Sequence, residues 1–227
     1  MRIVLVLLLT TLAMGLNAQQ EVSEVDLNYL EDQFYVGITY NFILNKPEPI
    51  TQRNLSYGLD VGFIKDIPLN SNRNVAIGVG LGYAVNSYYT NLLVEEVDSQ
   101  FGYSTLLSET DSKRNKLETH LLEFPVEFRW RTSTPEDYKF WRIYTGLKFS
   151  YLLGGRSKRV GDLGKQSFYN TDLRNLQYGL TLNFGYNTFN VHVYYALNNL
   201  FEDNLTLTTG EELNFIPLRI GLIFFIL

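Results

Sequence analysis

Residues 34–42 read Phe34-Tyr35-Val36-Gly37-Ile38-Thr39-Tyr40-Asn41-Phe42, and their alternation decides the fold. Side chains of a β-strand point to opposite faces with a period of two. Phe34, Val36, Ile38, Tyr40 and Phe42 therefore share one face, and Tyr35, Gly37, Thr39 and Asn41 share the other. The pattern returns at 55–65, 74–86, 119–131, 140–153, 175–186, 189–198 and 216–227. Each run has about the ten residues that a tilted strand needs to cross a bilayer. One face stays apolar and aromatic-rich throughout, while the other stays small and polar. Such a chain reads as an all-β, antiparallel up-and-down transmembrane barrel of about eight strands, of the outer-membrane type, with lipid outside and a packed lumen inside.

Composition agrees. The chain has 227 residues and a mean hydropathy close to neutral, as a barrel does when only alternate residues meet lipid. It is rich in Tyr (16) and Phe (15), and its lack of Cys excludes disulfide and thiolate chemistry. At the N-terminus Arg2 precedes an apolar stretch from Ile3 to Leu16, with Ala18 at the expected cut. Residues 1–18 are expected to be a secretory signal, too short to span a membrane as a helix. Its removal takes one cation and no acid, moving the formal charge from −5 to −6. A mildly acidic mature chain gives no reason to expect nucleic acid as a partner. Residues 19–33 read as an acidic periplasmic leader (Glu21, Glu24, Asp26, Glu31 and Asp32) and 34–227 as the barrel. Ile220 to Leu227 read as its closing strand; in a soluble sandwich they would be an aggregation hazard.

With a periplasmic N-terminus, odd strands run outward and even strands return. The periplasmic connections are then 66–73, 132–139 and 187–188. The outer ones are 45–54, 87–118, 154–174 and 199–215, mostly longer and more charged. Short turns on one side and long loops on the other are usual for such barrels. Trp130 and Trp141 flank the turn that contains Tyr138, and all three are expected at the membrane interface. Pro125 lies inside the fourth run. A closed barrel has no free edge for a residue without an N–H, so a bulge near Phe124 is expected.

The lumen-facing set includes Asp60, Glu123, Glu127, Arg129, Arg131, Arg142, Lys148 and Arg219, among glycines and tyrosines. A hairpin folded symmetrically about 132–139 sets Glu123 opposite Lys148, and Glu127 opposite Tyr144 and diagonal to Arg142. A barrel of this strand number is just wide enough for side chains to fill. Paired charges are therefore expected to close it, a selective pore being the alternative. Gly78, Gly80 and Gly82 lack the strand–turn–helix context of a nucleotide site and are expected to let inward positions approach closely. His120 reads as outward and His192 as inward, with no nucleophile evident beside either. No catalytic residue, metal site, cofactor or small-molecule substrate is expected. The basic stretch from Gly154 to Arg159 reads as a solvated outer loop touching anionic headgroups. The long connection 87–118 is the surface expected to meet a protein partner.

Three stretches carry a resemblance: 31–47 (EDQFYVGITYNFILNKP), 55–83 (LSYGLDVGFIKDIPLNSNRNVAIGVGLGY) followed by Asn86-Ser87-Tyr88, and 121–130 (LLEFPVEFRW). Together they resemble the PorT (SprT) family, outer-membrane barrel components of the type IX secretion system. The likeness is strongest over 31–91, and the third stretch is shared by many small barrels of Bacteroidota-type bacteria. The resemblance implies a part in exporting proteins that carry a C-terminal targeting domain, and in gliding motility where that machinery serves it. It implies no enzymatic activity. A filled lumen passes no folded cargo, so an accessory or assembly role is the consistent version, with outer-membrane lipid and other secretion-system proteins as partners. The alternatives are a structural or adhesive barrel whose long loops bind a surface ligand, and a small-solute porin.

Overall fold

The computed structural model describes residues 32–52, 55–97, 100–106, 114–132, 140–161 and 164–226; the signal and nearly all of the leader fall outside them. Among the described residues eleven strands form: β1 (Gln33–Leu44), β2 (Tyr57–Pro68), β3 (Val75–Tyr89), β4 (Leu92–Val97), β5 (Gln100–Thr105), β6 (Arg114–Arg131), β7 (Trp141–Gly161), β8 (Gly164–Tyr169), β9 (Leu176–Tyr186), β10 (Phe189–Ala196) and β11 (Ile216–Ile226). Strands β1, β2, β3, β6, β7, β9, β10 and β11 pair in that order, each antiparallel to the next. A ladder from Phe34↔Ile226 to Leu44↔Ile216 joins the last to the first. The eight-stranded meander is thereby closed, which leaves no free backbone edge in the wall.

The alternation in the chain becomes the two sides of this wall. Exposed and buried residues alternate without a break along β9, and along β1 exposed Phe34, Val36 and Ile38 separate buried Tyr35 and Thr39. So large an exposed apolar surface makes sense only against lipid. Strands β9 and β10 meet at the two-residue turn Asn187-Thr188, where Asn187 takes a φ of 53°. Asn tolerates that left-handed conformation because its short amide can bond locally. At the same end Asp32 accepts hydrogen bonds from the Asp66 N–H (2.7 Å) and from Lys65 Nζ (3.3 Å), which fixes where the chain enters β1.

Two features depart from the sequence expectation. The connections 87–118 and 154–174 are largely strand. β6 begins at Arg114 and β7 runs on to Gly161, so this part of the wall stands beyond its neighbours. β8 folds back on β7, and β4 pairs with β5 as a separate hairpin. Backbone pairing sustains these extensions, so they carry none of the apolar alternation that marks a membrane crossing. The second departure concerns Pro125, where no bulge forms near Phe124. The β3–β6 ladder omits Gly80 and Leu81 against Phe124 and Pro125, yet Val79↔Val126 and Gly82↔Glu123 lie on one register. The missing donor thus interrupts the ladder without shifting it. Gly80 makes room, since a Cβ there would stand 3.0 Å from the Pro125 ring. The bulge between β6 and β7 lies higher, where His120 pairs with Gly154 but Leu121 pairs with Leu152, so that Leu153 is the extra residue.

The loop end has a core of its own. Ile50, Leu92, Leu173, Leu200, Phe201 and Phe215, drawn from all four long connections, pack on Leu117, Leu121 and Leu152 of the wall. Phe201 sets its ring edge-on against Tyr103 and Phe215, with centroids 5.6 and 5.4 Å apart. The long connections therefore fold inward as an apolar cap over the lumen.

Candidate functional site

Below the cap the lumen holds two layers of charge, each built from inward positions on several strands. In the middle layer Arg219 of β11, Asp60 of β2, Glu123 of β6 and Lys148 of β7 converge. Lys148 Nζ lies 2.8 Å from Glu123 Oε2, and Arg219 Nη1 lies 3.2 Å from Glu123 Oε1. Asp60 is held by longer approaches, 3.8 Å to Arg219 and 4.0 Å to Lys148. The Arg219 guanidinium also lies over the Tyr194 ring at 3.8 Å and donates to Asn86 Oδ1 at 3.3 Å. Planar stacking and a forked donor set are what arginine supplies and lysine does not.

The second layer sits at the turn end. Arg131 makes a forked pair with Asp66 (2.8 and 3.0 Å), and Arg129 Nη1 donates to the same carboxylate at 3.1 Å. Arg129 Nε donates to Glu127 (3.2 Å), whose other oxygen accepts from Asn183 Nδ2 (3.0 Å). His192, fully buried, brings Nδ1 to 2.5 Å from Asn183 Oδ1. Arg142 lies over the Phe140 ring at 4.5 Å and faces Phe225 at 5.4 Å. Hydrogen-bonded pairs of this kind contribute little net stability against their desolvation, but removing one partner is costly, so they specify one arrangement.

All eight inward charges read from the sequence are buried in the lumen, but register redistributes their partners. Strands β6 and β7 set Glu123 opposite Ser150, Pro125 opposite Lys148, Glu127 opposite Gly146 and Arg131 opposite Arg142. That is two residues from the symmetric hairpin. Lys148 thus meets Glu123 diagonally, while Glu127 pairs with Arg129 and Asn183 in place of Arg142. A two-residue slip keeps every side chain on its own face, so parity survives and Glu123 still reaches Lys148, now diagonally, while Glu127 changes partners. Asp66, the carboxylate that organises Arg129 and Arg131, was missed because it was assigned to a turn. Its parity with Asp60 was the available signal, since β2 runs on to Pro68.

Close packing explains the glycines. Gly62 and Gly82 face each other across the β2–β3 ladder, and the Tyr35 side chain occupies the space that their Cβ atoms would take. A Cβ at Gly78 would meet Arg129 Nε at 2.6 Å. Trp130 and Trp141 face outward at the turn end, 39% and 48% exposed, and Trp141 stacks on Phe184 at 5.4 Å. Tyr138 lies outside the described residues. His120 also faces outward, with Nδ1 2.6 Å from Tyr83 Oη and Nε2 3.4 Å from Glu118 Oε1. Its acidic neighbour is thus the same-face residue two positions away, not lumen-facing Glu123. Among the described residues no cluster of His, Asp and Glu is arranged to hold a metal ion.

The family model for the outer membrane protein β-barrel domain matches residues 17–202 of this chain. Two crystal structures of Ail, the attachment invasion locus protein of Yersinia pestis, are similar in fold. The first shares 12% identity over 85% of this chain and 97% of its own, with a TM-score of 0.35. The second, in complex with the heparin analogue sucrose octasulfate, shares 14% over 86% and 99%, with a TM-score of 0.33. No curated protein matches in sequence. With a family model that spans most of its length and a closed wall of lipid-facing strands, the chain belongs to the outer membrane protein β-barrel family and is an integral protein of the outer membrane.

Proposed function

We propose that this barrel is a non-enzymatic component of the type IX protein secretion machinery, and of gliding where that machinery drives it. It acts through protein contacts in an accessory or assembly role. The observation that carries the mechanism is the filled lumen. An apolar cap closes the loop end and two charged layers fill the rest, so neither cargo nor solute passes through. The likeness of 31–47 and 55–83 to the PorT (SprT) family supplies the pathway. In this reading the short turns and the N-terminus face the periplasm, and the cap and hairpins face the exterior. Its partners are outer-membrane lipid and other secretion-system proteins, not nucleic acid or small molecules.

The test is a clean deletion with complementation, followed by location of cargo bearing the C-terminal targeting domain. Cargo trapped in the periplasm and released by the restored gene supports the reading; cargo reaching the surface normally refutes it. Orientation is checked separately by labelling a cysteine introduced at exposed Glu96 in intact cells. An adhesive reading is favoured by one observation, the β4–β5 and β7–β8 hairpins that extend past the wall. Deleting the β4–β5 hairpin discriminates, because lost adhesion with intact secretion would favour that alternative.

A further inference from the structure

The bulge at Leu153 does more than relieve a ladder. Below it the outward residues of β7 are odd-numbered (Phe149, Tyr151 and Leu153), all exposed to lipid. One extra residue reverses the parity. Above it Gly155 and Ser157 turn inward, where Gly155 approaches Leu173 of the cap and Ser157 accepts a hydrogen bond from Asn170 at 3.3 Å. Arg156 and Lys158, which an unbroken strand would send into the lumen, are turned to the outer face. There they stand across the β6–β7 ladder from Glu118 and Lys116.

The result is a cationic patch directly above the lipid-facing band. Glu118 sits between Lys116 Nζ, at 2.6 Å, and Lys158 Nζ, and holds both in place. Burial alone would raise the Glu118 carboxyl, but hydrogen bonds and charge from the two lysines outweigh it and hold it at about 2. Arg156 lies over the Tyr169 ring at 4.4 Å and has no carboxylate partner among the described residues. Three cations against one carboxylate leave two net positive charges. The lysines are only 18% and 30% exposed, so their ammonium groups are already ordered and partly dehydrated. An ordered cation loses less conformational freedom on meeting an anion.

Beneath the patch the wall is grooved. Phe34, Val36, Val61, Leu81, Tyr83 and Leu122 line a lipid-side groove of about 480 Å³. Its upper end is the Tyr83–Leu122 pair. The next outward pair is Val85 with His120, and above it stand Ser87 with Glu118 and Tyr89 with Lys116. Tyr83 Oη, bonded to His120, links the two regions. An apolar slot leading up to ordered cations matches one chemistry, a lipid with an anionic head. We propose that this face binds a phosphate-bearing glycolipid of the outer leaflet, one acyl chain lying in the groove and the phosphates meeting Lys116, Arg156 and Lys158. The leaflet rests on the loop end being external, as proposed above; the site itself does not.

The full-length barrel, purified in detergent, is titrated with bisphosphorylated lipid A, with lipid A stripped of its phosphates, and with phosphatidylglycerol, and occupancy is read by native mass spectrometry. Each cation near an anionic surface contributes about a fivefold preference, so K116Q/R156Q/K158Q should lower lipid A affinity on the order of a hundredfold. Lys65→Gln, a cation at the turn end, should leave it unchanged. Val61→Trp, which fills the groove and touches no cation, should weaken binding while preserving the preference for phosphates. Folding of each variant is verified by its heat-dependent gel shift. Equal affinity for the dephosphorylated lipid, or an unaffected triple variant, overturns the site. Cation-dependent binding of phosphatidylglycerol with no preference for lipid A overturns the outer-leaflet assignment. A cysteine at Glu96 that stays unlabelled in intact cells, with lipid A binding intact, overturns only the orientation.

Discussion

Asp66→Asn isolates the turn-end layer better than any other single change. The Asp66 carboxylate is fully buried and accepts two hydrogen bonds from Arg131, at 2.8 and 3.0 Å, and one from Arg129, at 3.1 Å. Asn keeps the volume but removes the charge and turns an NH2 group toward guanidinium donors. Arg129 retains Glu127 at 3.2 Å, and Arg131 retains the Arg73 carbonyl at 3.0 Å. Removing one partner of a buried pair costs about 3–5 kcal/mol. At a urea slope of about 2–3 kcal/mol per molar, the unfolding midpoint should fall by about 1–2 M. Trp130 and Trp141, the only two tryptophans, face lipid at this same end, so their fluorescence reports it. The pair's cost lies in the uncompensated charge, so D66N/R131M should recover at least about half of the loss. A single-variant shift under about 0.3 M, or a double variant less stable than the single, would refute the layer as described.

The Gly62–Gly82 contact makes a specific rescue pattern. A Cβ at Gly82 collides with Tyr35 Oη and stands 3.1 Å from its Cζ, whereas one at Gly62 is 2.5 Å from both. Overpacking by a methyl should cost each Gly→Ala variant about 1–3 kcal/mol, and Tyr35→Phe should restore stability to Gly82→Ala but not to Gly62→Ala in the same unfolding assay. Loosening the cap with F201A/F215A should leave planar bilayers silent, because the middle layer still fills the lumen; conductance should appear only when Lys148→Ala and Arg219→Ala are added. Current from the cap variant alone would show that the charged layers do not close the barrel. Acid should loosen the loop-end rim. Glu118 is held at about 2 against an ordinary 4.5, so its ion pairs contribute stability above about pH 4.5 that is lost as pH falls toward about 2. The melting temperature of wild type should drop across that window more than that of Glu118→Gln.

The sequence carried much of this molecule because barrel walls are written locally. Tyr35, Asp60, Glu123, Arg129 and Arg219 were assigned to the lumen by counting in twos, and the structure places each of them there. What counting could not reach was register. Glu127 meets Asn183 of β9, fifty-six residues on, and Arg219 meets Glu123 across the lumen; no local pattern encodes either approach. Asp66 escaped because strand ends are set by pairing with β3, not by the residues of β2 alone. The cap escaped for another reason. Leu173, Leu200 and Phe201 stand among charged and turn-forming neighbours without periodicity, and they become a core only when four separate connections meet. Glu118 beside His120 was also overlooked, although the shared parity of 118 and 120 was the available signal.

By itself, then, the sequence determined the number of membrane-crossing strands, the facing of residues in those runs, and the division between lipid-facing and lumen-facing chemistry. Those properties depend only on backbone geometry repeated every two residues. The tertiary structure alone decided which charges pair, where the single bulge between β6 and β7 falls, and that the long connections close the barrel. Each of these depends on the alignment of strands distant in the chain. The Leu153 bulge marks the boundary between the two. It follows from no residue type, yet it turns Arg156 and Lys158 from the lumen to the membrane face, because one inserted residue inverts the parity of everything beyond it.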